Sequence, residues 1–250
     1  MGEPPGLLRP NYFGERVARG YDDDSTDMFD PAVISRTVDF LAGLAGDGAA
    51  LEFAVGTGRI ALPLSERGVP VRGIDLSPDM LAQLAAKTGS EKIGVTEGDF
   101  TSTRVEGEFQ LVYLVYNTIG NVTTQDAQVE CFCNAAAHLG PGGCFVVEVG
   151  LPPLRRLPPG ETVQVFTFTP TRIGFDELDV AQQLGVSHHI WLGDEPRHFS
   201  MPWRFVWPGE LDLMARIAGL HLRERWADWG REPFTSDSTK HVSVWEKPAT

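Results

Sequence analysis

The sequence predicts an α/β domain built on a seven-stranded, mostly parallel sheet with helices on both faces. Its 250 residues are enough for one sizeable domain with a core of its own. Up to residue 150, short apolar runs alternate with helical patterns, as they do in βαβ units. One of these runs, at 109–116, is apolar almost throughout, which is typical of a strand covered by helices on both faces.

The N-terminal part of the chain contains most of the predicted sheet. Strands are predicted at 49–55, 69–75, 93–97, 109–116 and 144–149, and helices at 31–44, 59–67, 78–87 and 124–139. Ser77 and Pro78 indicate a helix start, because serine caps a helix N-terminus and proline fits its first turn. Gly68 is expected to end the preceding helix, and residues 141–143 are expected to form the turn into the fifth strand.

After residue 150 the pattern changes to short antiparallel strands. Four prolines at 151–160 indicate a connection, and alternating side chains predict strands at 163–169, 184–192 and 198–206, with 178–183 assigned to the second of them. These strands predict a small β layer over the sheet. A helix at 208–218, ended by Gly219, and strands at 220–226 and 241–246 complete the seven-stranded sheet.

We therefore expect one domain over residues 1–250, organised in four segments. Residues 1–45 are predicted to form a helical lid, and residues 46–150 a ligand-binding core. Residues 151–207 are predicted to form an inserted β cap, and residues 208–250 the last helix and two strands.

The composition excludes several classes of partner. Lys and Arg number 21 against 34 Asp and Glu, and the net charge of −13 argues against binding to nucleic acid or to anionic membranes. Three cysteines, Cys131, Cys133 and Cys144, do not make an even disulfide framework, and no ligand spacing predicts a metal. With no signal peptide and no long apolar run, we expect a soluble cytoplasmic protein.

A glycine loop follows the first predicted strand and indicates an adenosine cofactor. Gly56 and Gly58 allow a tight turn close to a ligand, and Asp75 ends the next strand, where a carboxylate can accept both ribose hydroxyls. The loop also satisfies the dinucleotide pattern G-x-G-x-x-A. Against a pyrophosphate, Glu52 places a negative charge beside the loop, which suits a cationic amino-acid ammonium, and Asp99 lies where an adenine amino group can bind.

Several motifs together resemble those of class I S-adenosylmethionine-dependent methyltransferases, which have a Rossmann-like fold. The resemblance rests on Glu52-x-x-x-Gly56-x-Gly58, Asp75-Leu76-Ser77-Pro78-Asp79-Met80-Leu81, Gly98-Asp99-Phe100 and Leu139-Gly140-Pro141-Gly142-Gly143. It covers residues 30–150 and, through the order of the last helix and strands, most of the rest. Ala54 departs from the family pattern, in which many members have a third glycine. The cap and the Arg-rich composition resemble small-molecule, actinobacterial members, several of which modify sugars or antibiotic scaffolds.

The resemblance implies S-adenosylmethionine as cofactor, with S-adenosylhomocysteine as product. The implied cofactor-binding positions are Tyr21, Glu52, Ala54, Gly56, Gly58, Arg59, Asp75, Leu76, Met80, Asp99, Phe100 and Val115. Asp75 is expected to hold the ribose, and Arg59 to reach the methionine carboxylate. Leu76 and Met80 are expected to enclose the adenine, and the backbone around Val115 to accept from the ammonium group.

The methyl acceptor leaves a weaker signal, because the protein donates no nucleophile in such a transfer. The expected catalytic residues are Asn117, His188 and His189, and the expected acceptor-binding residues are Tyr12, Tyr116, Asn117, Trp191 and Arg204. Neighbours in a strand face opposite ways, so at most one of the two histidines can face a shared cavity. A histidine there can remove a proton from an amine or phenol.

These observations predict methyl transfer to a nitrogen or oxygen atom of a small metabolite, such as a natural product or a sugar. Two alternatives remain open. A nicotinamide-dependent oxidoreductase can use the same glycine loop, although the chain lacks the Tyr-x-x-x-Lys pair of short-chain dehydrogenases. A catalytically silent member of the same fold can act as a binding protein. Such a protein would be expected to lack the glycine loop or the acidic residue that binds the ribose, and this chain has both.

Overall fold

The computed structural model describes residues 12–24, 26–193 and 196–249. Its helices are α1 (Glu15–Asp24), α2 (Pro31–Ala45), α3 (Ala61–Glu66), α4 (Pro78–Ala85), α5 (Gln125–His138) and α6 (Pro208–Ile217). The first five strands are β1 (Ala50–Phe53), β2 (Val71–Asp75), β3 (Gly94–Glu97), β4 (Phe109–Leu114) and β5 (Leu139–Gly150). The others are β6 (Val163–Phe168), β7 (Arg172–Asp179), β8 (Leu184–Trp191), β9 (Arg197–Arg204), β10 (His221–Trp226) and β11 (Lys240–Glu246).

The main sheet has seven strands in the order β3-β2-β1-β4-β5-β11-β10. Strands β1 to β5 pair in parallel, whereas β11 is antiparallel to both of its neighbours. Helices α5 and α6 pack on one face and α2, α3 and α4 on the other, each over an apolar cluster. The predicted fold class is therefore confirmed. The strand order reverses between β1 and β4, and in open sheets of this kind a ligand binds at that point.

Local sequence signals explain most element boundaries. The Ser77 hydroxyl accepts a hydrogen bond from the Met80 N–H at 3.2 Å, which caps α4 at its predicted start. Strand β5 is longer than predicted. Gly142 donates its N–H to the Lys247 carbonyl at 2.9 Å, and Gly143 accepts from the Lys247 N–H at 2.8 Å. The glycine segment therefore joins the sheet ladder instead of forming a separate turn.

The cap is a separate antiparallel sheet in the order β6-β7-β8-β9. The sequence predicted three of these strands and missed β7, whose polar and acidic side chains alternate poorly with its apolar ones. Residues 178–183 were assigned to the second predicted strand, and this was wrong. Leu178 and Asp179 end β7, and residues 180–183 turn between β7 and β8, where Gln183 has a left-handed φ of 58°.

The N-terminal lid contacts the glycine loop and α4. The Asp22 carboxylate accepts hydrogen bonds from the Thr57 hydroxyl at 2.7 Å and from the Lys87 ammonium. The Ser77 hydroxyl donates to the Phe13 carbonyl at 2.6 Å. These contacts hold α1 over the carboxyl ends of β1 and β2.

Two further observations concern the chain as a whole. Across the described ranges, no helix is both long and apolar enough to cross a membrane. The three cysteines, all of them described, form no disulfide, and Cys131 and Cys144 are buried.

Candidate active site

A cavity of about 810 Å³ opens at the carboxyl ends of the parallel strands, between the lid, the core sheet and the cap. This volume is within the usual range for small-molecule sites. The lining residues predicted for the cofactor are Tyr21, Ala54, Gly56, Asp75, Leu76, Met80, Asp99 and Phe100. The lining residues predicted for catalysis or the acceptor are Tyr12, Tyr116, Asn117, His189, Trp191 and Arg204. One cavity thus joins both predicted groups.

The glycine loop has the backbone conformation that such residues allow. Gly56 has a φ of 55° and Gly58 a φ of 81°. A Cβ atom on Gly58 would lie 2.4 Å from the Leu84 side chain, so Gly58 provides for close packing on α4 and does not line the cavity. Ala54 has a φ of 55° as well, a conformation that costs a non-glycine residue roughly 1 kcal/mol. The loop therefore keeps its left-handed turn although alanine replaces glycine.

Asp75 is held by the loop and faces the cavity. Its two oxygens accept hydrogen bonds from the Gly56 and Ser77 N–H groups, each at 2.8 Å. Burial raises the pKa of the carboxyl group, and these hydrogen bonds oppose that effect. A carboxylate has about four lone-pair sites, so it can still accept two hydroxyl groups of a ribose.

Next to Asp75, the side chains around the predicted adenine pocket are mainly apolar. Met80 is buried, and its methyl carbon lies 3.3 Å from where a Cβ on Gly56 would be. Phe100 stacks on Phe53 with 5.7 Å between ring centroids. Asp99 accepts hydrogen bonds from the Thr101 N–H and hydroxyl at 2.8 and 2.7 Å, which fixes the turn that brings the carboxylate to the cavity.

Besides Gly58, three residues predicted for the cofactor do not line the cavity. Glu52 is buried and accepts a hydrogen bond from the Tyr113 hydroxyl at 2.9 Å. Arg59 donates to the Met28 carbonyl at 3.2 Å and lies 5.5 Å from the centroid of the Tyr116 ring. The Val115 carbonyl accepts a hydrogen bond from the Thr118 hydroxyl at 2.8 Å.

The buried Glu52 makes stability depend on pH. Burial raises its pKa from 4.5 to about 8. Between these values the folded state keeps a proton that the unfolded state releases, so the free energy of unfolding falls as the pH rises, by on the order of 1 kcal/mol per pH unit. We expect Glu52→Gln, which can still accept from Tyr113, to flatten this decline between pH 6.5 and 8 in urea unfolding. Glu91→Gln, at an exposed position, serves as control. If the free energy of unfolding of Glu52→Gln changes with pH in parallel with that of the wild type, Glu52 is not the group that causes the decline.

The loop after β4 is held in an uncommon conformation at the point where the strand order reverses. Tyr116 and Asn117 have φ values of 56° and 59°, in the left-handed region that bulky residues rarely adopt. The Tyr116 N–H donates to the Glu148 carboxylate at 3.1 Å, and the Asn117 side-chain oxygen accepts from the Gly150 N–H at 2.6 Å. Strand β5 therefore sets the position of both cavity-lining side chains, and Glu148 was not predicted from the sequence.

The cap separates the two adjacent histidines as strand alternation requires. His189 lines the cavity, whereas His188 lies on the outer face of β8, where it stacks on Phe175 with centroids 4.7 Å apart. Arg172 lies 3.0 Å from Nδ1 of His189. A guanidinium group can only donate, so Nδ1 accepts and the neutral ring carries its proton on Nε2. In this state His189 presents an N–H group, not a basic nitrogen, on its other side.

Trp191 and Arg204 line opposite ends of the cap. Trp191 lies between two arginines, with the Arg172 and Arg197 guanidinium carbons 5.2 and 4.9 Å from its centroid. Arg204 is buried and donates to Gln183 at 3.1 Å and to Gln128 and Glu210. Its main contacts therefore join the cap to helices α5 and α6.

The acidic residue of the cap's inner face was not predicted for this site. Asp176 lines the cavity and accepts a hydrogen bond from the Ser187 hydroxyl at 2.6 Å. Burial raises the pKa of Asp176. Had β7 been recognised, its period of two would have placed Arg172, Gly174 and Asp176 on one face. Among the residues with described positions, no cluster of three or more His, Cys, Asp or Glu could hold a metal ion.

Comparisons with known proteins agree with this geometry. Residues 50–143 match the methyltransferase domain family. The cypemycin N-terminal methyltransferase of a Streptomyces species is 26% identical over 208 residues, 79% of this chain and 82% of that protein. The structure of the CcbJ methyltransferase from Streptomyces caelestis is 34% identical, with a TM-score of 0.86 over 97% of this chain and 100% of that one. SAM-bound CalS10, an amino pentose methyltransferase from Micromonospora echinaspora, shares the fold at 19% identity, with a TM-score of 0.68 over 98% and 100% of the two chains.

Proposed function

The chain belongs to the S-adenosylmethionine-dependent methyltransferases, and we propose that it methylates the nitrogen of an amino group on a small metabolite. The observation that carries this proposal is the Asp176 carboxylate on the cavity-facing side of the cap. Asp75 and Asp99, the other acidic residues that line the described cavity, lie at the predicted ribose and adenine positions. Asp176 is therefore available to a cationic amine. The name of the Streptomyces relative, an N-terminal methyltransferase, supports a nitrogen acceptor.

The chemistry requires little more than positioning and a path for one proton. S-Adenosylmethionine supplies an electrophilic methyl group on its sulfonium. Simple amines are largely protonated at neutral pH, and a protonated amine has no lone pair to donate. Asp176 accepts one proton from the ammonium, and its raised pKa suits this role. The neutral nitrogen then forms the C–N bond as the S–C bond breaks, and the product is a methylammonium.

The remaining cavity residues serve to bind and orient. In this proposal Asp75 holds the ribose hydroxyls, and Leu76 and Met80 enclose the adenine beside Asp99. Tyr116 and Asn117 form the wall along which the methyl group passes. The Nε2–H of His189 donates a hydrogen bond to the acceptor instead of removing its proton.

Matched acceptor pairs test the choice of nitrogen over oxygen. We would incubate the protein with methyl-labelled S-adenosylmethionine and with pairs that differ only at the nucleophile, such as amino sugars with their parent sugars and free peptides with N-acetylated peptides. Label is expected only in the amine members. Label in hydroxyl members alone would exclude an amine as the acceptor.

Asp176→Asn tests the proton path on any amine that is labelled. We expect the rate at neutral pH to fall roughly 100-fold, because general-base assistance commonly contributes that much. The loss should shrink as the pH rises and the solvent deprotonates the amine. Asp179→Asn, an exposed carboxylate on the same strand, is the control and should change neither rate nor pH profile. A uniform loss at every pH would assign Asp176 a purely structural role.

A further inference from the structure

Two arginines on the cap's inner face have no acidic partner within the described chain. Arg172 and Arg197 line the cavity beside Trp191. Among the side chains that the structure describes, no carboxylate is within ion-pair distance of either guanidinium group. The chain carries 34 acidic residues and a net charge of −13, yet these two cations lie side by side on one cavity wall, on either side of Trp191.

One of these groups is also incompletely hydrogen-bonded. The Nε of Arg172 is buried and has no partner among the described residues, although one of its terminal nitrogens contacts His189 at 3.0 Å. A buried charged donor without a partner is costly, and its charge is best satisfied by a negatively charged acceptor.

The arrangement suits an anion better than an aromatic ring. Arg172 on β7 and Arg197 on β9 approach Trp191 from the two strands that flank β8. Both guanidinium groups lie over the indole ring, and the His189 ring stacks on it with 5.8 Å between centroids, so these groups occupy the space that a further ring would need. The stacking holds the guanidinium planes in place, and their N–H edges match the oxygens of a carboxylate or phosphate.

Strand register gives the distance between this pair and Asp176. Asp176 pairs with Ser187, and Arg172 pairs with Trp191, so the two positions are four residues apart along β7 and β8. At about 3.3 Å per residue, the separation is roughly 13 Å. The Asp176 end is nearer the core, because β9 reaches the turn after β4 at Arg204, where a Cβ on Gly120 would lie 3.2 Å from the Arg204 carbonyl.

We propose that the acceptor carries an anionic group, a carboxylate or a phosphate, which Arg172 and Arg197 bind about 13 Å from the nitrogen that Asp176 holds. This inference rests on the proposed function, because it takes the Asp176 end as the position of the amine. The substrate class is then an elongated dipolar amine, with its cationic end beside the methyl donor and its anionic end at the outer edge of the cap.

Binding of simple dipolar probes tests the proposal without knowledge of the natural acceptor. Protein saturated with S-adenosylhomocysteine would be titrated calorimetrically with straight-chain ω-amino acids of increasing length and with the matching alkylamines, which lack the carboxylate. We expect the carboxylate to tighten binding at least tenfold at the chain length that spans the two sites. A second series of probes ends in a phosphate monoester instead of a carboxylate. The anion that increases the affinity more, relative to the matching alkylamine, is the one that the site prefers.

Variants assign the gain to the arginines. Arg172→Gln and Arg197→Gln are each expected to remove the tenfold gain and to leave the affinity for S-adenosylhomocysteine unchanged, which also shows that they fold. Because Arg172 contacts His189, only Arg197→Gln is also expected to leave the affinity for alkylamines unchanged. The exposed Arg216→Gln on α6 is the control and should keep the gain. No gain from either anion at any length, or a gain that persists in both variants, would overturn the proposal. Binding is measured here without turnover. If the protein binds the anionic probes more tightly but methylates no amine, the proposed function is refuted and the anion site stands.

Discussion

Replacing Asp75 by alanine is expected to weaken the binding of S-adenosylmethionine severely. The carboxylate is buried at the end of β2, faces the cavity and retains lone pairs for two hydroxyl groups. A hydrogen bond to a charged group contributes about 1.5–3 kcal/mol, so the loss of two costs about 3 kcal/mol or more. We therefore expect affinity to fall at least roughly 100-fold.

Calorimetric titration with S-adenosylhomocysteine measures this effect. Alanine also removes the acceptor for the Gly56 and Ser77 N–H groups, so Asp75→Asn is the companion variant, since its amide oxygen can still accept one of them. Asp47→Ala, an exposed carboxylate before β1, is the matched control. If Asp75→Asn folds and binds S-adenosylhomocysteine as tightly as the wild type, the ribose assignment is wrong.

The second large effect is expected from Arg204→Met, and it concerns stability. Arg204 is buried and donates to Gln128, Gln183 and Glu210, which lie on three different parts of the chain. Methionine fills similar space but leaves Glu210 charged and partly buried without its cation. Breaking a buried pair in this way typically costs 3–5 kcal/mol. We expect the free energy of unfolding to fall by about that amount.

Urea unfolding measured at several pH values tests whether the loss of stability comes from leaving the Glu210 carboxylate without its cation. Burial alone would raise the pKa of Glu210, but hydrogen bonds from Arg204, Gln183 and Gln125 outweigh it, and the pKa is lowered. The stability from this carboxylate is present above its unfolded pKa and is lost as the pH falls through the lower folded value. The gap between wild type and Arg204→Met should therefore narrow in acid. Arg223→Ala, which breaks the exposed pair with Glu246, should cost less than about 1 kcal/mol.

An alternative role for Arg204 would give a different pattern. If the Arg204 side chain bound the acceptor and contributed little to the free energy of unfolding, the methionine variant would keep its stability and lose only methyl transfer. The same two measurements therefore distinguish a residue that joins the cap to the helices from one that recognises the acceptor.

The sequence by itself determined the features that depend on local conformation and strand periodicity. Gly56 and Gly58 require left-handed turns, Ser77 and Pro78 start a helix, and the carboxyl ends of parallel strands meet at one edge of a sheet. The sequence thus predicted that the glycine loop and Asp75 are neighbours. Period two likewise predicted that only one of His188 and His189 can face the cavity.

Only the tertiary structure decided how the cap meets the core. Strand β7 has a weak pattern of its own and is recognised by its pairing with β6 and β8, which places Asp176 and Arg172 in the cavity. The contact of Arg172 with His189 sets the tautomer of that ring, and the partners of Arg204 lie on distant parts of the chain. These contacts join residues far apart in sequence, and their geometry follows from packing the whole chain rather than from any local pattern.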